Sequence, residues 1–159
     1  MMIREDIIAF LKTGQLIHFP YGMEKALLIK LLGQPDEEIE DDESSMVKYD
    51  QTEFYFYKGY KDSNCLAGIL IQPIPIAASR RNLDMDYRWL DKSLDYQQTI
   101  ALLLEEGISF KESSTGRHEQ HKIIITSGEV TFFFFNDPNR INKVGRFLPM
   151  EEFEQLGSL

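Results

Sequence analysis

Glu53-Phe54-Tyr55-Phe56-Tyr57 and Glu129-Val130-Thr131-Phe132-Phe133-Phe134-Phe135 are two acid-led, strand-like runs, and Glu53, Phe54 and Phe56 precede Glu129, Val130 and Phe132 by 76 positions. Aromatic and β-branched residues in alternation mark a strand, whose side chains point to opposite faces in turn. In the first run Phe54 and Phe56 share one face, with Tyr55 and Tyr57 on the other. In the second, Val130, Phe132 and Phe134 oppose Thr131, Phe133 and Phe135.

Each run closes a predicted hairpin. Met46 to Tyr49 turns at Asp50-Gln51 into the first run, and Lys122 to Thr126 turns at Ser127-Gly128 into the second. A polar stretch follows each, Lys58 to Asn64 and Asn136 to Arg140. A third strand then ends at prolines: Leu66 to Gln72 before Pro73 and Pro75, and Ile141 to Leu148 before Pro149.

Helices precede both hairpins. Ile3, Ile7, Ile8, Phe10 and Leu11 predict an amphipathic helix over 3–13, stopped by Thr13-Gly14, and Gln15 to Phe19 reads as extended. Leu27, Leu28, Leu31 and Leu32 predict a second helix over 23–32, with Gly33 as its stop and Pro35 beyond it. Ile100, Leu103 and Leu104 predict the corresponding helix over 94–106, ending at Gly107. Gly33 lies 74 positions before Gly107, and Tyr21 lies 75 before Tyr96. Helix stop, turn, acid and aromatic strand thus recur at nearly one offset, the mark of an internal repeat. The competing explanation is coincidence, because helices of this length and hairpins are common. The expected architecture is α+β: two α-β-β-β repeats, 1–75 and 76–159, joined near 74–82 within a single domain, 1–159. Their strands would form a continuous antiparallel sheet with the helices on its convex face.

A chain of 159 residues, 43% hydrophobic, with 11 Phe and 7 Tyr, can bury a core without metal or disulfide staples. It opens without a basic, apolar leader, contains no apolar run of membrane-spanning length, and has a single cysteine, Cys65. These features point to a reducing cytoplasm. Of a net charge of −9, seven charges sit in Asp36, Glu37, Glu38, Glu40, Asp41, Asp42 and Glu43. Such a chain repels phosphate backbones, so nucleic acid is not an expected partner, nor is a membrane. The acidic segment either steers a basic protein partner or is a solvated loop.

Phe19-Pro20-Tyr21-Gly22-Met23-Glu24-Lys25, followed by Leu27, Leu28, Leu31, Leu32, Gly33, Gln34, Pro35 and Asp36, resembles the G-M-x-K … L-L-G-x-P signature of β-lactamase-inhibitor-like and SmpA/OmlA-like modules. The resemblance covers about 20 residues of the first copy; the second keeps the spacing of Trp89, Leu90 and residues 94–107 without the G-x-P ending. It implies helices packed on one face of a repeated antiparallel sheet whose other face presses on another protein, as in small bacterial immunity-type proteins. SmpA/OmlA-like modules are exported lipoproteins and the secreted inhibitors carry disulfides. With one cysteine and no export signal, this chain departs from both, and a periplasmic role or β-lactamase as target is disfavoured.

The residues suggest no catalytic centre. His118-Glu119-Gln120-His121 is not H-E-x-x-H and precedes a strand in a polar stretch, so a solvated loop is the plainer reading than a zinc site. Cys65 leads into an apolar strand and reads as a packed thiol, and His18, between Ile17 and Phe19, as a histidine at the core edge. The expectation is a non-enzymatic protein-binding module of the immunity or inhibitor type, without cofactor or metal. Tyr55, Tyr57, Phe133 and Phe135 would anchor the partner and the acidic segment would steer it. The aromatic face could equally be covered by a second layer, by a homodimer or at the joint between copies. The alternatives are a structural homodimer or scaffold subunit, and a metal-dependent enzyme using His118, Glu119 and His121.

Overall fold

Alternation along the aromatic runs governs the architecture, because it sorts one row of rings into the core and leaves the other on the opposite face. The computed structural model describes residues 2–59, 63–73, 82–91, 93–115, 121–135 and 139–156. It is a mixed α+β structure dominated by an eight-stranded antiparallel sheet. In chain order the elements are β1 (Ile3–Asp6), α1 (Ile7–Thr13), α2 (Lys25–Leu32), β2 (Glu37–Glu40), β3 (Ser44–Tyr49), β4 (Thr52–Lys58) and β5 (Asn64–Ile71). There follow β6 (Leu83–Asp86), a 3-10 turn (Arg88–Asp91), α3 (Tyr96–Glu105), β7 (Phe110–Thr115), β8 (His121–Thr126), β9 (Thr131–Phe134), β10 (Ile141–Phe147) and α4 (Met150–Leu156).

The large sheet has the order β2-β3-β4-β5-β10-β9-β8-β7, while β1 and β6 form a separate parallel pair. β5 and β10 meet antiparallel at the centre, Val144 opposite Ile71 and Phe147 opposite Gly68. On the helix side, Val47, Phe54, Phe56, Ile69, Ile71, Ile124, Phe132 and Val144 pack with Ile7, Phe10, Leu11, Leu28, Leu32 and Leu103 into one apolar cluster. Phe19 lies on Phe54 with ring centroids 5.4 Å apart, Trp89 stacks on Phe132 and Tyr96 meets Phe134 edge-on.

Several expectations need correction. The predicted helix over 3–13 begins only at Ile7. Burial alternates from Ile3 to Glu5, the segment pairs with β6 in the register Ile3 to Leu83, and the Asp6 carboxylate accepts from the Ile8 N–H to start the helix. Leu27 and Leu104 face out, Leu104 being 66% exposed, because the buried stripes are the narrower Lys25-Leu28-Leu32 and Tyr96-Thr99-Leu103. The acidic segment is not all loop, since Glu37–Glu40 pairs with β3 as an edge strand. Each half carries four strands of the large sheet rather than three. The polar strand β7 was hidden by its lack of apolar alternation, and α4 follows Pro149 unforeseen. Most of the expected joint, residues 74–81, lies outside the described residues.

The N-terminal part of each half packs on the hairpin turn of the other. The Thr126 hydroxyl donates to the Leu11 carbonyl at 2.6 Å, and Gly14, which ends α1 with φ 77°, lies against Gly128 so closely that a Cβ on either would strike backbone. Reciprocally, the hydroxyls of Tyr87 and Thr52 share a buried 2.6 Å hydrogen bond.

Two outcomes follow from this packing. Gly128→Ala should lower unfolding stability by about 1–3 kcal/mol, because its Cβ would meet the Gly14 nitrogen and Leu11 oxygen, neither of which can rotate away. Gly107→Ala, with open space around its Cβ, should lower it only by the left-handed strain of about 1 kcal/mol; urea titration compares the two. Burial pushes the Tyr87 and Tyr21 hydroxyls up to about 12, against the Thr52 hydrogen bond for the first and the Arg146 charge for the second. A raised folded-state value means stability fully present below about pH 10, where unfolded tyrosine ionises, and lost as pH climbs through 12. Tyrosinate absorbance and far-ultraviolet dichroism recorded together should show these rings ionising only as the fold is lost.

Candidate functional site

The face away from α1 to α3 is built from every second residue of the eight strands. Register places Glu37 and Ile39 of β2 beside Lys48 and Met46 of β3, then Glu53, Tyr55 and Tyr57 of β4. Beyond the seam come Lys143 and Phe147 of β10, Phe133 of β9, Ile123 and Ile125 of β8, and Lys111 of β7. Tyr55 and Phe133 are half-buried and Phe135, just past β9, is 50% exposed, as alternation predicts.

Tyr57 is less available. α4 folds over that end of the sheet, setting Phe153 edge-on against Tyr57 at 5.8 Å and packing with Ala67 and Leu148 near Cys65. A second layer therefore covers part of the face and leaves the rest. Phe147 takes the vacant position. It lies over Gly68, where any Cβ would strike its ring, and packs on Tyr55 at 5.1 Å while remaining 43% exposed. Ile39 on the edge strand is 49% exposed. Phe147 and Ile39 were missing from the sequence reading, although alternation within 141–147 places Phe147 on this face with Lys143. Between these exposed groups Met46 and Leu70 are buried by their neighbours, together with Glu53, whose carboxylate accepts from Tyr55 and Gln72, so the surface is a mainly apolar floor with one buried acid in it and exposed rims.

Charge is distributed unevenly around that floor. The Lys25 ammonium, 8% exposed, contacts Glu38 at 2.7 Å and Glu40 at 3.0 Å, tying the start of α2 to the edge strand. Burial pulls its pKa down, but the hydrogen bonds and charges of Glu38 and Glu40 outweigh it and the net shift is upward. Asp36 accepts from the Asp50 N–H. Glu37 on β2, together with Asp41, Asp42 and Glu43 in the turn, is exposed on this rim. On the far side of the seam, Lys143 sits over the Phe133 ring at 5.0 Å and Lys111 is exposed.

Of the other candidate residues, His118, Glu119 and Gln120 lie outside the described residues, and His121 opens β8 half-buried. Among the described residues no three His, Cys, Asp or Glu side chains come together to hold a metal ion. Cys65 is half-buried with its sulfur 3.6 Å from the Ser63 hydroxyl. His18 is exposed rather than at the core edge, and its Nδ1 lies 2.8 Å from the Glu5 carboxylate, which also accepts the backbone N–H groups of Ile17 and His18. Glu5 is almost completely buried and was not anticipated. Its three contacts close the turn after α1 and account for its burial as structural. No helix is long and apolar enough to cross a membrane among the described residues. Comparison with protein-family models, curated proteins and solved structures finds no match to the chain.

Lys25→Met should release the edge strand, because Glu38 and Glu40 would then repel each other with no cation between them. The expected loss is about 1–2 kcal/mol, as both carboxylates regain water. Hydrogen exchange should quicken at β2 and β3 amides while α3 is unchanged. A raised lysine pKa makes the contribution of this cluster full below the unfolded value of about 10.4 and lost above it, so wild type and variant should converge in stability in strong alkali.

Proposed function

We propose that the chain is a non-enzymatic protein-binding module of the immunity or inhibitor type, which seats a basic partner on the open sheet face. One observation carries this reading: large apolar side chains, Ile39, Phe135 and Phe147, stand exposed around a floor of Tyr55, Met46 and Leu70, broken by the buried Glu53, that the protein's own fourth helix covers only at the Tyr57 end. Patches of this kind, rimmed by charge, mark protein interfaces. Tyr and Phe supply contact area at low entropic cost.

The geometry supports a revised set of anchors. Tyr55, Phe133 and Phe135 keep the role expected of them, Phe147 and Ile39 join them, and Tyr57 becomes support for α4. Steering falls to Glu37, Asp41, Asp42 and Glu43, since Glu38 and Glu40 are engaged by Lys25. The reading places the protein in the cytoplasm and needs no cofactor.

The same proposal takes the chain as one domain, 1–159, with repeats 1–75 and 76–159. Its support is the mirrored strand order about the β5–β10 seam, the left-handed Gly33 and Gly107 after equivalent helices, and the reciprocal packing of each half on the other's turn.

Tagged wild type and a Tyr55→Ala/Phe147→Ala variant, each offered to lysate of the native host at low and moderate salt, test the binding reading. A basic protein retained at stoichiometric yield by wild type, weakened by salt and lost from the variant, is the expected result. Each anchor should contribute about 2 kcal/mol. Leu104→Ala on the helix side should retain the partner. Equal recovery by wild type and the double variant would remove the open face from the proposal.

A further inference from the structure

The two outer edges of the sheet differ in a way that the open face does not explain. Among the described residues, both β2 and β7 leave one row of backbone groups without a neighbouring strand, and such rows invite another strand. In β2, Glu37, Glu38 and Glu40 are three of four residues. A closed pair of identical antiparallel strands has its two-fold axis perpendicular to the sheet, which keeps each side chain on its own face and so allows only registers centred on a residue. Centred on Glu37, Glu38 or Glu40, two copies of β2 set an acid against itself; centred on Ile39, they set Glu38 against Glu40 twice. Every symmetric register of that edge is repulsive.

The β7 edge is different. Lys111, Glu112, Ser113, Ser114 and Thr115 are all exposed, and the strand pairs with β8 without a bulge and contains no proline. Lys111 shares the open-face side with Ser113 and Thr115. Glu112 is on the helix side, where its carboxylate accepts the Tyr96 hydroxyl at 2.7 Å. Registers centred on Lys111 or Glu112 oppose like charges. The register centred on Ser113 places Lys111 opposite Thr115, Glu112 opposite Ser114 and Ser113 opposite itself, a set of charge–hydroxyl and hydroxyl–hydroxyl pairs. It also uses five of the strand's six residues.

We infer that β7 is a self-association edge: two copies of the chain pair antiparallel through β7, centred on Ser113, and continue the sheet across the dimer. The occupant is a second copy because, paired with itself about Ser113, this strand opposes no like charges and engages five residues, where the register about Ser114 engages only Ser113 to Thr115. Both open faces remain uncovered in the dimer, so this inference goes beyond the binding proposal and can fail separately from it.

Sedimentation equilibrium from micromolar to near-millimolar concentration tests it with three proteins. Wild type is expected to reach twice the mass of one chain and stop there. Ser113→Lys, which opposes two lysines at the centre of the register on an exposed position, should hold the mass of one chain with unchanged circular dichroism. In a Cys65→Ser background, Ser113→Cys should oxidise to a covalent dimer. Thr115→Cys should not, since its sulfurs would lie about 13 Å apart along the strands. If Ser113→Lys fails to fold, the two cysteine variants decide alone. Wild type at the mass of one chain throughout, a dimer that survives Ser113→Lys, a mass that climbs past two chains, or equal oxidation of both cysteine variants would each overturn the inference.

Discussion

The antiparallel register between β5 and β10 is the constraint on which the rest depends. It fixes Val144 against Ile71 in the core and Phe147 over Gly68 on the opposite face. A slip of one residue would send Val144 outward and Phe147 inward, since side chains alternate with period two. Two glycines make the pairing close. Gly68 leaves room for the Phe147 ring, and at Gly145 a Cβ would meet the Ile69 carbonyl and the Leu70 side chain. With that register set, the other six strands follow outward by antiparallel pairing, and the open face acquires its order of acid, aromatic floor and lysine.

Two buried ions hold the periphery to this sheet by different means. Glu5 takes two backbone donors and one ring nitrogen, so its burial organises a turn. Lys25 is held by two carboxylates of an edge strand, where four exposed residues in a row would otherwise have little to bind them. In both cases the cost of removing an ion from water is offset by several short contacts rather than one. The same economy explains why part of the acidic segment is ordered.

Much of the architecture was legible because period two and helix stops are local signals. Phe54 and Phe56 inward, Phe132 and Phe134 inward, the turns at Asp50 and Ser127, and the left-handed glycines after α2 and α3 all follow from neighbouring residues alone. What escaped depends on distant ones. Ile3 to Asp6 has a helical apolar pattern, yet pairing with β6, 80 positions away, draws it into a strand. β7 is polar on both faces and is a strand only because β8 pairs with it. The outward placement of Tyr55, Phe133, Phe135 and Phe147 was readable from alternation, whereas the covering of Tyr57 by α4 depends on how the chain returns after Pro149.

The reciprocal packing of each half on the other's hairpin turn has a consequence for how the chain is made. Synthesis delivers α1 and the whole of β2 to β5 before any of β7 to β10 exists, while the Leu11 carbonyl waits for a hydroxyl 115 residues downstream. Until β10 arrives, β5 is an unpaired apolar edge, Asn-Cys-Leu-Ala-Gly-Ile-Leu-Ile, of the kind that joins with other chains. A nascent chain stalled near residue 120 would therefore be a hazard to its neighbours. Translation through the second half, rather than folding of the first, sets the moment at which this protein becomes safe.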